Sequence, residues 1–334
     1  MVLIFRVKAL TTSSLYRDIN LVADSIGFDK SSSLWLYRLN PVKAAKAGFQ
    51  KTLSILEKVG VYVSEDIRGL IESLEKDYVD VYLSLELPDI IIYTSSNDLI
   101  ERLRKDRLVV FDKKTATFRL KPMNLHSVLE FIERHGLRYR LGFDLNYKAS
   151  FEAKLKVSLR DYQIEAYNAW VRNGYRGVIV LPVAAGKTIV ALKAIEELAV
   201  KTLILVPTMD LLNQWFDNVV KLLSISINKV GLYGGGKREL NDVTIMTYDS
   251  AYINLEKLPT FFGLVIADEC HHAVSPSYRK ALENITAPYR MGLTATPYRS
   301  DGLHRYYASV LGSIVYSLES EALQSKGYLA RHRE

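Results

Sequence analysis

The spacing of apolar residues changes several times along the chain. In residues 1–78 apolar side chains recur at helical spacing, most clearly over 49–59 and 67–74. A proline and a glycine interrupt these stretches, and three serines before Leu34 offer the start of a further helix. Residues 1–78 are therefore predicted to be a mostly helical N-terminal extension that packs against the rest of the protein or binds a partner.

At residue 79 the period changes to two, which is typical of half-buried strands. The alternating segments predict strands at 79–87, 89–94, 108–111 and 117–120. Asp112–Thr115 is expected to close the last two strands into a hairpin. A helical stripe follows at 125–132. Residues 79–150 are thus predicted to form a small α+β domain, with the linker to the next domain within 144–156.

From residue 157 short apolar strands alternate with helical patterns. The strands are predicted at 178–181, 202–206, 229–232, 243–247, 264–267 and 290–293. Such alternation indicates an α/β domain, here residues 151–334, with a parallel sheet that is covered on both faces. Ligands of these sheets bind at the carboxyl ends of the strands, which is where the chemically interesting residues of this chain fall.

Composition limits the class of protein. A chain of 334 residues with 49% hydrophobic side chains can form two or three domains. The single cysteine, Cys270, excludes an internal disulfide and a cysteine-rich zinc site, and it suits a reducing compartment. No apolar run approaches the roughly 18 residues that a membrane span requires. We expect an intracellular protein with no membrane partner.

The net charge of +7 is unevenly distributed. Residues 99–121 contain 8 basic and 3 acidic side chains, and Lys113 and Lys114 lie at the tip of the predicted hairpin. A local basic surface is typical of polyanion binding, so this hairpin is a candidate DNA contact. A solvated face of a small domain would account for the same charge.

Residues 181–188 resemble a loop that wraps a polyphosphate, because Gly186, Lys187 and Thr188 follow a predicted strand and open a predicted helix. Backbone amides of Pro182–Gly186 would surround the phosphates of ATP, although the proline itself has no N–H. Lys187 would contact the β- and γ-phosphates, and Thr188 would bind Mg²⁺. Leu181 and Ala184 replace glycines of the usual pattern. The alternative is a glycine helix start with a surface lysine.

Asp268 and Glu269 form the second chemical signal, since they follow the apolar run 262–267. Asp268 would complete the Mg²⁺ site, and Glu269 would orient the attacking water and accept its proton. An acidic pair at a strand end is often merely exposed to solvent, but its pairing with residues 181–188 favours hydrolysis of a nucleoside triphosphate. Cys270 is interpreted as a buried thiol with no redox role.

Several segments, in family order, resemble superfamily 2 helicases. Asp268–His271 resembles their DExH box. Further motif-like segments are Leu159–Gln163, Leu205–Thr208, Met246–Ser250 and Gly292–Thr296. The segments Thr247–Tyr252, Gly292–Thr296 and Gly327–Arg331 are similar to the XPB family of DNA helicases, particularly its archaeal members. Over about 79–334 the resemblance implies a RecA-like first motor domain, preceded by a small damage-recognition-like domain.

The resemblance also implies residue roles. Arg160 and Gln163 would recognise adenine, and His271, Thr294 and Thr296 would couple the nucleotide state to DNA movement. His271 in particular would bridge the metal site to a neighbouring RecA-like domain. The DNA contacts would come from Thr208, Thr247, Arg299 and Asp301. Serine at position 300, where the family has an acid, puts the strand-opening role of that last element in doubt. Helix or turn capping by the threonines is the structural alternative.

The function that the resemblance implies is an ATP-dependent 3′-to-5′ helicase or translocase on duplex and single-stranded DNA. In the family this activity opens the duplex for nucleotide excision repair, with a partner nuclease in archaea, in the cytoplasm of an archaeon or the nucleus of a eukaryote. A second RecA-like domain is expected outside these 334 residues. The chain alone should bind ATP better than it hydrolyses it. A nucleotide-gated DNA-binding module with little catalysis, and an RNA helicase, remain the alternatives.

Overall fold

The computed structural model of the protein describes residues 3–8, 13–254, 258–296 and 304–325. By the density of contacts the chain divides into two compact units, residues 1–144 and residues 145–334. Each unit has its own sheets and its own hydrophobic core. No helix among the described residues is long and apolar enough to cross a membrane.

The first unit begins with a small antiparallel sheet. Its strands are β1 (Ile4–Lys8), β2 (Ala23–Asp29) and β3 (Leu34–Leu39), in the order β1-β3-β2, with α1 (Ser13–Asn20) before β2. The prediction of a mostly helical extension is therefore wrong for its first half. Leu34 begins a strand, because its aromatic-rich segment finds pairing partners on both sides. The serines before it form a turn in which Ser31 and Ser32 hydrogen-bond to Asp29.

The second half of the extension is helical, as its apolar spacing predicts. It contains α2 (Pro41–Ala47), α3 (Phe49–Lys58) and α4 (Glu65–Asp77). Asn40 caps α2 by accepting hydrogen bonds from the amides of Val42 and Lys43. These helices bury Ile55, Ile71 and neighbouring apolar residues against the small sheet.

A five-stranded sheet completes the first unit. It contains β4 (Val81–Glu86), β5 (Asp89–Thr94), β6 (Val110–Asp112), β7 (Thr117–Leu120) and β8 (Tyr139–Leu141), in the order β6-β7-β5-β4-β8. Two helices accompany it, α5 (Asn97–Lys105) and α6 (Leu125–Arg134). The hairpin that the sequence predicts around 112–115 joins β6 to β7. The division of residues 1–150 into two domains stays a prediction, since Val79 packs into the same core as the N-terminal helices.

The second unit is built on one eight-stranded sheet. Its strands are β9 (Arg176–Val180), β10 (Thr202–Val206), β11 (Val230–Gly234), β12 (Lys237–Arg238), β13 (Val243–Thr247), β14 (Leu264–Ala267), β15 (Tyr289–Thr294) and β16 (Ile314–Ser317). The order is β12-β11-β13-β10-β14-β15-β9-β16, and every neighbouring pair except β11 and β12 is parallel. This is the parallel α/β sheet that the alternating pattern predicts.

Helices accompany this sheet along the chain. They are α7 (Asp161–Arg172), α8 (Lys187–Leu198), α9 (Met209–Leu222), α10 (Tyr248–Ile253), α11 (Pro276–Glu283), α12 (His304–Leu311) and α13 (Ser320–Ser325). The core between sheet and helices contains Trp170 and Trp215, both almost fully buried. Arg290 is also fully buried on β15, where its guanidinium donates to the carbonyl groups of Leu282, Ile285, Ala287 and Val310. Burial lowers the pKa of Arg290 to about 9.

Two connecting segments of the second unit are held by specific contacts. Residues 145–156, which contain most of the predicted linker, are fastened to the second unit by a bridge between Lys148 and Val200 and by a hydrogen bond from the Leu155 amide to Glu196. The glycine-rich segment 234–238 forms a hairpin between β11 and β12. Two consecutive glycines with positive φ allow its tight turn.

Candidate nucleotide site

The candidate residues lie at one edge of the eight-stranded sheet. The strands β13, β10, β14, β15 and β9 are neighbours in that order. Because all five are parallel, their carboxyl ends share one edge. At or directly after these ends lie, in the same order, Thr247, Thr208, Asp268, Thr294 and the loop 181–188. Residues far apart in sequence are thus collected along one edge.

The phosphate loop has the backbone that a glycine-rich loop needs. Ala184 has φ 63° and Gly186 has φ 78°, both in the left-handed region. Ala184 therefore adopts a backbone conformation that is typical of glycine. Alanine in place of the usual glycine thus leaves the path of the loop intact. At Gly186 a side chain is excluded as well, because a Cβ would come within 2.4 Å of Gln163 Nε2. Leu181, the other departure from the usual pattern, is buried in the core.

Lys187, near the end of the loop 181–188, is also the first residue of α8. Its ammonium donates a hydrogen bond of 3.3 Å to the carbonyl oxygen of Leu181 and lies 3.9 Å from Glu269 Oε1. The lysine therefore spans the space between the phosphate loop and the acidic pair. The amino-terminal end of α8 directs its first amides toward the same side, and Thr188 lies in this first turn.

Gln163 supports the phosphate loop directly. It is buried, and its Nε2 donates to the carbonyl oxygen of Ala185 at 3.0 Å, while its Oε1 accepts from the amide of Arg160 at 2.9 Å. Tyr162 donates its hydroxyl to the same Ala185 carbonyl at 2.9 Å. The side chain of Arg160 is exposed and reaches the Tyr162 hydroxyl at 3.3 Å. Adenine recognition by Arg160 and Gln163 stays a prediction.

Asp268 is held more firmly than a surface acid would be. Only 7% of its surface is exposed, and its backbone amide donates to the carbonyl oxygen of Leu205 on β10. Oδ2 accepts the indole N–H of Trp215 at 2.7 Å, and Oδ1 accepts the amide of Glu269 at 2.9 Å. Burial raises the pKa of the Asp268 carboxyl, and the hydrogen bond from Trp215 opposes this rise. The carboxylate keeps further lone pairs for a metal-bound water.

Glu269 and His271 connect the acidic pair to the end of β15. Glu269 has a left-handed backbone, with φ 44° and ψ 50°. His271 Nδ1 lies 3.4 Å from Glu269 Oε2 and 3.1 Å from the hydroxyl of Thr294. The same hydroxyl accepts the amide of Thr296 at 3.1 Å. The structure therefore brings together the three residues predicted to couple nucleotide and DNA, while a contact of His271 with another domain stays a prediction.

The two threonines predicted to contact DNA both cap helices. Thr208 Oγ1 accepts the amide of Leu211 at the start of α9, and Thr247 Oγ1 accepts the amide of Ser250 at the start of α10. Thr208 is exposed, whereas Thr247 is mostly buried. Capping, the structural alternative, is thus realised at both positions, and the DNA contacts stay predictions.

The predicted basic hairpin presents its lysines to solvent. Lys113 and Lys114 are exposed in the turn between β6 and β7. Arg119 on β7 is instead engaged with Asp89 and Asp112. Of the basic residues on these two strands and their turn, the lysines are thus the ones placed for a polyanion.

The remaining predicted residues, Arg299 and Asp301, lie outside the described residues, as does the segment 327–331. Sequence reasoning missed Trp215 as a partner of the acidic pair, and also Tyr248, whose hydroxyl donates to the Asp268 carbonyl at 3.1 Å. A buried indole N–H or phenol hydroxyl needs a hydrogen-bond partner, so a tryptophan or tyrosine in a buried segment indicates that an acceptor lies nearby. The pattern along the chain does not say which acceptor it meets.

The donor chemistry at this edge fits Mg²⁺ bound together with phosphates. The candidate ligands, Thr188 and Asp268, offer hard oxygen atoms, and Mg²⁺ bound to a nucleotide takes only one or two carboxylates and keeps several waters. Within the described part of the chain no group of three or more His, Cys, Asp or Glu residues could hold a metal ion by itself. The parallel sheet, the loop 181–188 and the acidic pair together form an α/β domain with a candidate site for a nucleoside triphosphate.

Comparison with known proteins narrows this class. Residues 156–299 match the family model described as type III restriction enzyme, res subunit. The DNA 3′-5′ translocase XPB2 of Sulfurisphaera tokodaii is 47% identical over 180 residues, 54% of this chain and 40% of that protein. The DNA 3′-5′ helicase XPB of Kineococcus radiotolerans is 36% identical over 182 residues, 52% of this chain and 32% of that protein. Over the matched region the chain is thus similar to proteins of the XPB family.

A more distant relative matches more of the chain. A protein of a Sulfolobus islandicus filamentous virus is 25% identical over 352 aligned residues, which cover 96% of this chain and 62% of the viral protein. The chain thus spans 32–40% of the two XPB relatives above and a larger share of the viral one.

Proposed function

We propose that the protein is the ATP-binding part of a 3′-to-5′ DNA helicase or translocase of XPB type. The observation that carries the proposal is the meeting of Lys187 and Glu269 across the edge of the sheet, 3.9 Å apart, between the phosphate loop and the strand end that bears Asp268. The polarity and the DNA substrate rest on the two XPB relatives, which are named DNA 3′-5′ translocase and helicase.

The site residues divide the work of phosphoryl transfer. The backbone amides that follow Pro182, together with the amino-terminal end of α8, would bind the phosphates. Lys187 would exchange the Leu181 carbonyl for phosphate oxygens, because an anion is a better partner for an ammonium than a neutral carbonyl. Thr188 and Asp268 would hold Mg²⁺, which neutralises phosphate charge when bound.

Glu269 is placed to act on water. It lies next to Lys187 on one side and His271 on the other, so its carboxylate is oriented from two directions. In this position it can orient a water molecule and accept its proton. His271 would then transmit changes at Glu269 to Thr294 and Thr296 through the contacts described above.

The wider role is proposed from the family. The motor would open duplex DNA for nucleotide excision repair, contact both duplex and single-stranded DNA, and act with a second RecA-like domain and a partner nuclease. Thr208, Thr247, Arg299 and Asp301 would contact the DNA, as would Lys113 and Lys114 in the first unit. Arg160 and Gln163 would recognise adenine beside the loop that Gln163 already holds.

Two substitutions test the proposal. Lys187→Ala is expected to lose binding of Mg²⁺-ATP, whereas Glu269→Gln is expected to keep binding and to lose DNA-stimulated hydrolysis, since it changes the group that accepts the proton. Binding can be measured on the purified chain with a fluorescent nucleotide. Hydrolysis can be measured with a phosphate-release assay on the protein that includes a second RecA-like domain. Lys221→Ala is the charge control, because this exposed lysine lies on α9, at the end remote from Thr208.

The outcomes separate the possible functions. Full nucleotide binding by Lys187→Ala would remove the phosphate loop from the site. Nucleotide binding that is lost in Lys187→Ala, with DNA binding but no detectable hydrolysis by the protein that includes a second RecA-like domain, would favour a nucleotide-gated binding module.

A further inference from the structure

Asp268 is anchored by two aromatic residues that lie outside the acidic pair and the phosphate loop. Trp215, on α9, donates its indole N–H to Oδ2 at 2.7 Å. Tyr248, the first residue of α10, donates its hydroxyl to the backbone carbonyl at 3.1 Å. One anchor therefore holds the side chain and the other holds the main chain of the same residue.

Packing alone does not explain the indole N–H of Trp215 or the hydroxyl of Tyr248. Trp215 and Tyr248 are almost fully buried, and the ring of Tyr248 stacks on Tyr278 with 4.7 Å between centroids. Apolar packing in such places could be supplied by phenylalanine. A buried N–H or O–H is costly unless it meets an acceptor, so its presence ties each ring to one specific acceptor. For Trp215 the acceptor is a carboxylate, and the short distance is typical of a charge-assisted hydrogen bond.

The bond from Trp215 restricts the plane of the carboxylate. Oδ2 is held by the indole and Oδ1 by the Glu269 amide, so rotation about the bond to the carboxyl group would break both contacts. Partners of this kind orient metal-binding carboxylates and commonly contribute about 10- to 100-fold to metal affinity. Trp215 thus has a role toward Asp268 that a phenylalanine could not perform.

Both anchors belong to helices that begin at candidate DNA contacts. Thr208 caps α9, and Trp215 follows it by about two helical turns. Thr247 caps α10 and directly precedes Tyr248. A rigid helix moves as one body, so a displacement of α9 at Thr208 would be felt at the Asp268 carboxylate through a single hydrogen bond.

We propose that Trp215 is a positioning residue that orients Asp268 for Mg²⁺ and links α9, at the DNA side, to the metal site. The proposal rests on the proposed function, since it assigns Asp268 to Mg²⁺ and Thr208 to DNA. It adds a residue that acts through Asp268 and touches neither ATP nor DNA.

The test compares Trp215→Phe with Trp170→Phe. Both remove one indole N–H from a buried tryptophan of the same core, but Trp170 donates to the carbonyl oxygen of Arg290 at 2.8 Å. The measurement is the Mg²⁺ concentration that half-saturates binding of a fluorescent ADP analogue. We expect this concentration to rise about 10- to 100-fold in Trp215→Phe and to stay unchanged in Trp170→Phe.

Three results separate the positioning role from the function on which it rests. An equal Mg²⁺ requirement in the two variants would overturn the role of Trp215. A wild-type chain whose nucleotide binding is independent of Mg²⁺ would instead contradict the assignment of the metal site. Equal loss of binding in both variants, with lowered melting temperatures, would assign Trp215 to packing alone and would also overturn its role.

Tryptophan fluorescence tests the link through α9 without substitution of Trp215. The chain has three tryptophans, so Trp35→Phe combined with Trp170→Phe leaves Trp215 as the sole indole emitter. Its emission is expected to change when Mg²⁺-ADP binds and when a DNA oligonucleotide binds without nucleotide. The chain with Trp170 as its single tryptophan is the control; at Mg²⁺ and DNA concentrations that saturate binding to this variant, its emission should respond to neither ligand. Emission from Trp215 that ignores DNA while DNA binding is observed would refute the link through α9.

Discussion

Gly186 offers a test of how the phosphate loop is held, because two separate effects forbid a side chain at this position. Its φ of 78° lies in the left-handed region, and a Cβ would approach Gln163 Nε2 to 2.4 Å. Gly174, in the turn before β9, has a similar φ of 69° but open space around its Cα. Gly186→Ala and Gly174→Ala therefore differ mainly in the contact with Gln163.

The expected magnitudes follow from these contacts. The left-handed backbone should cost each alanine variant about 1–2 kcal/mol in free energy of unfolding. In Gly186→Ala the buried amide of Gln163 must also move away from the Arg160 amide and the Ala185 carbonyl. Loss of these two hydrogen bonds adds about 1–3 kcal/mol at roughly 0.5–1.5 kcal/mol each. The total for Gly186→Ala is thus about 2–5 kcal/mol, from the sum of the two contributions.

The assay is unfolding in guanidinium chloride, followed by tryptophan fluorescence. In a Trp35→Phe background both remaining tryptophans lie in the second unit, so that the signal reports on that unit alone. Gln163→Ala supplies a double-mutant cycle, because truncation of Gln163 removes the group that the new Cβ would meet. The extra cost of Gly186→Ala should disappear in this background.

Equal destabilisation by Gly186→Ala and Gly174→Ala would refute the reasoning, since it would leave no cost for the contact with Gln163. An undiminished cost of Gly186→Ala in the Gln163→Ala background would do the same. In either case Gln163 would not hold the phosphate loop, and adenine recognition would be its one predicted role.

Two further predictions concern charge. Lys113→Glu combined with Lys114→Glu should weaken DNA binding and flatten the dependence of log Kd on log salt concentration, because the exposed hairpin no longer neutralises phosphates. Fluorescence-anisotropy titrations at several salt concentrations measure this slope. An unchanged slope would mean that the hairpin is only a solvated face. The pKa of Asp268 is raised by burial, so the folded state binds a proton more readily than the unfolded state, and stability falls as pH rises from the ordinary carboxyl pKa through the raised folded pKa. Asp268→Asn should therefore gain stability relative to wild type at neutral pH but not at pH values below that interval, and a difference in unfolding free energy that is independent of pH would contradict this.

Much of the second unit could be predicted from sequence because its signals are local. The strands 202–206, 243–247 and 264–267 have the predicted bounds, since a strand buried on both faces is a short continuous apolar run. The loop 181–188 and the acidic pair each come at the end of a predicted strand. Because the strands are parallel, both must lie at the same edge of the sheet. The first half of 1–78 could not be predicted in the same way, because β3 is a strand by virtue of partners elsewhere in the chain.

The sequence by itself determined the parallel sheet and the position of the candidate phosphate and metal residues at the ends of its strands, because these depend on periodicity and on spacing along the chain. Only the tertiary structure decided how the residues are held: Gln163 against the Ala185 carbonyl, Trp215 and Tyr248 against Asp268, and His271 against Thr294. These pairs are separated by 20 to 53 residues. A buried donor must find an acceptor, but which acceptor it finds is set by the packing of helices on the sheet and not by any pattern along the chain.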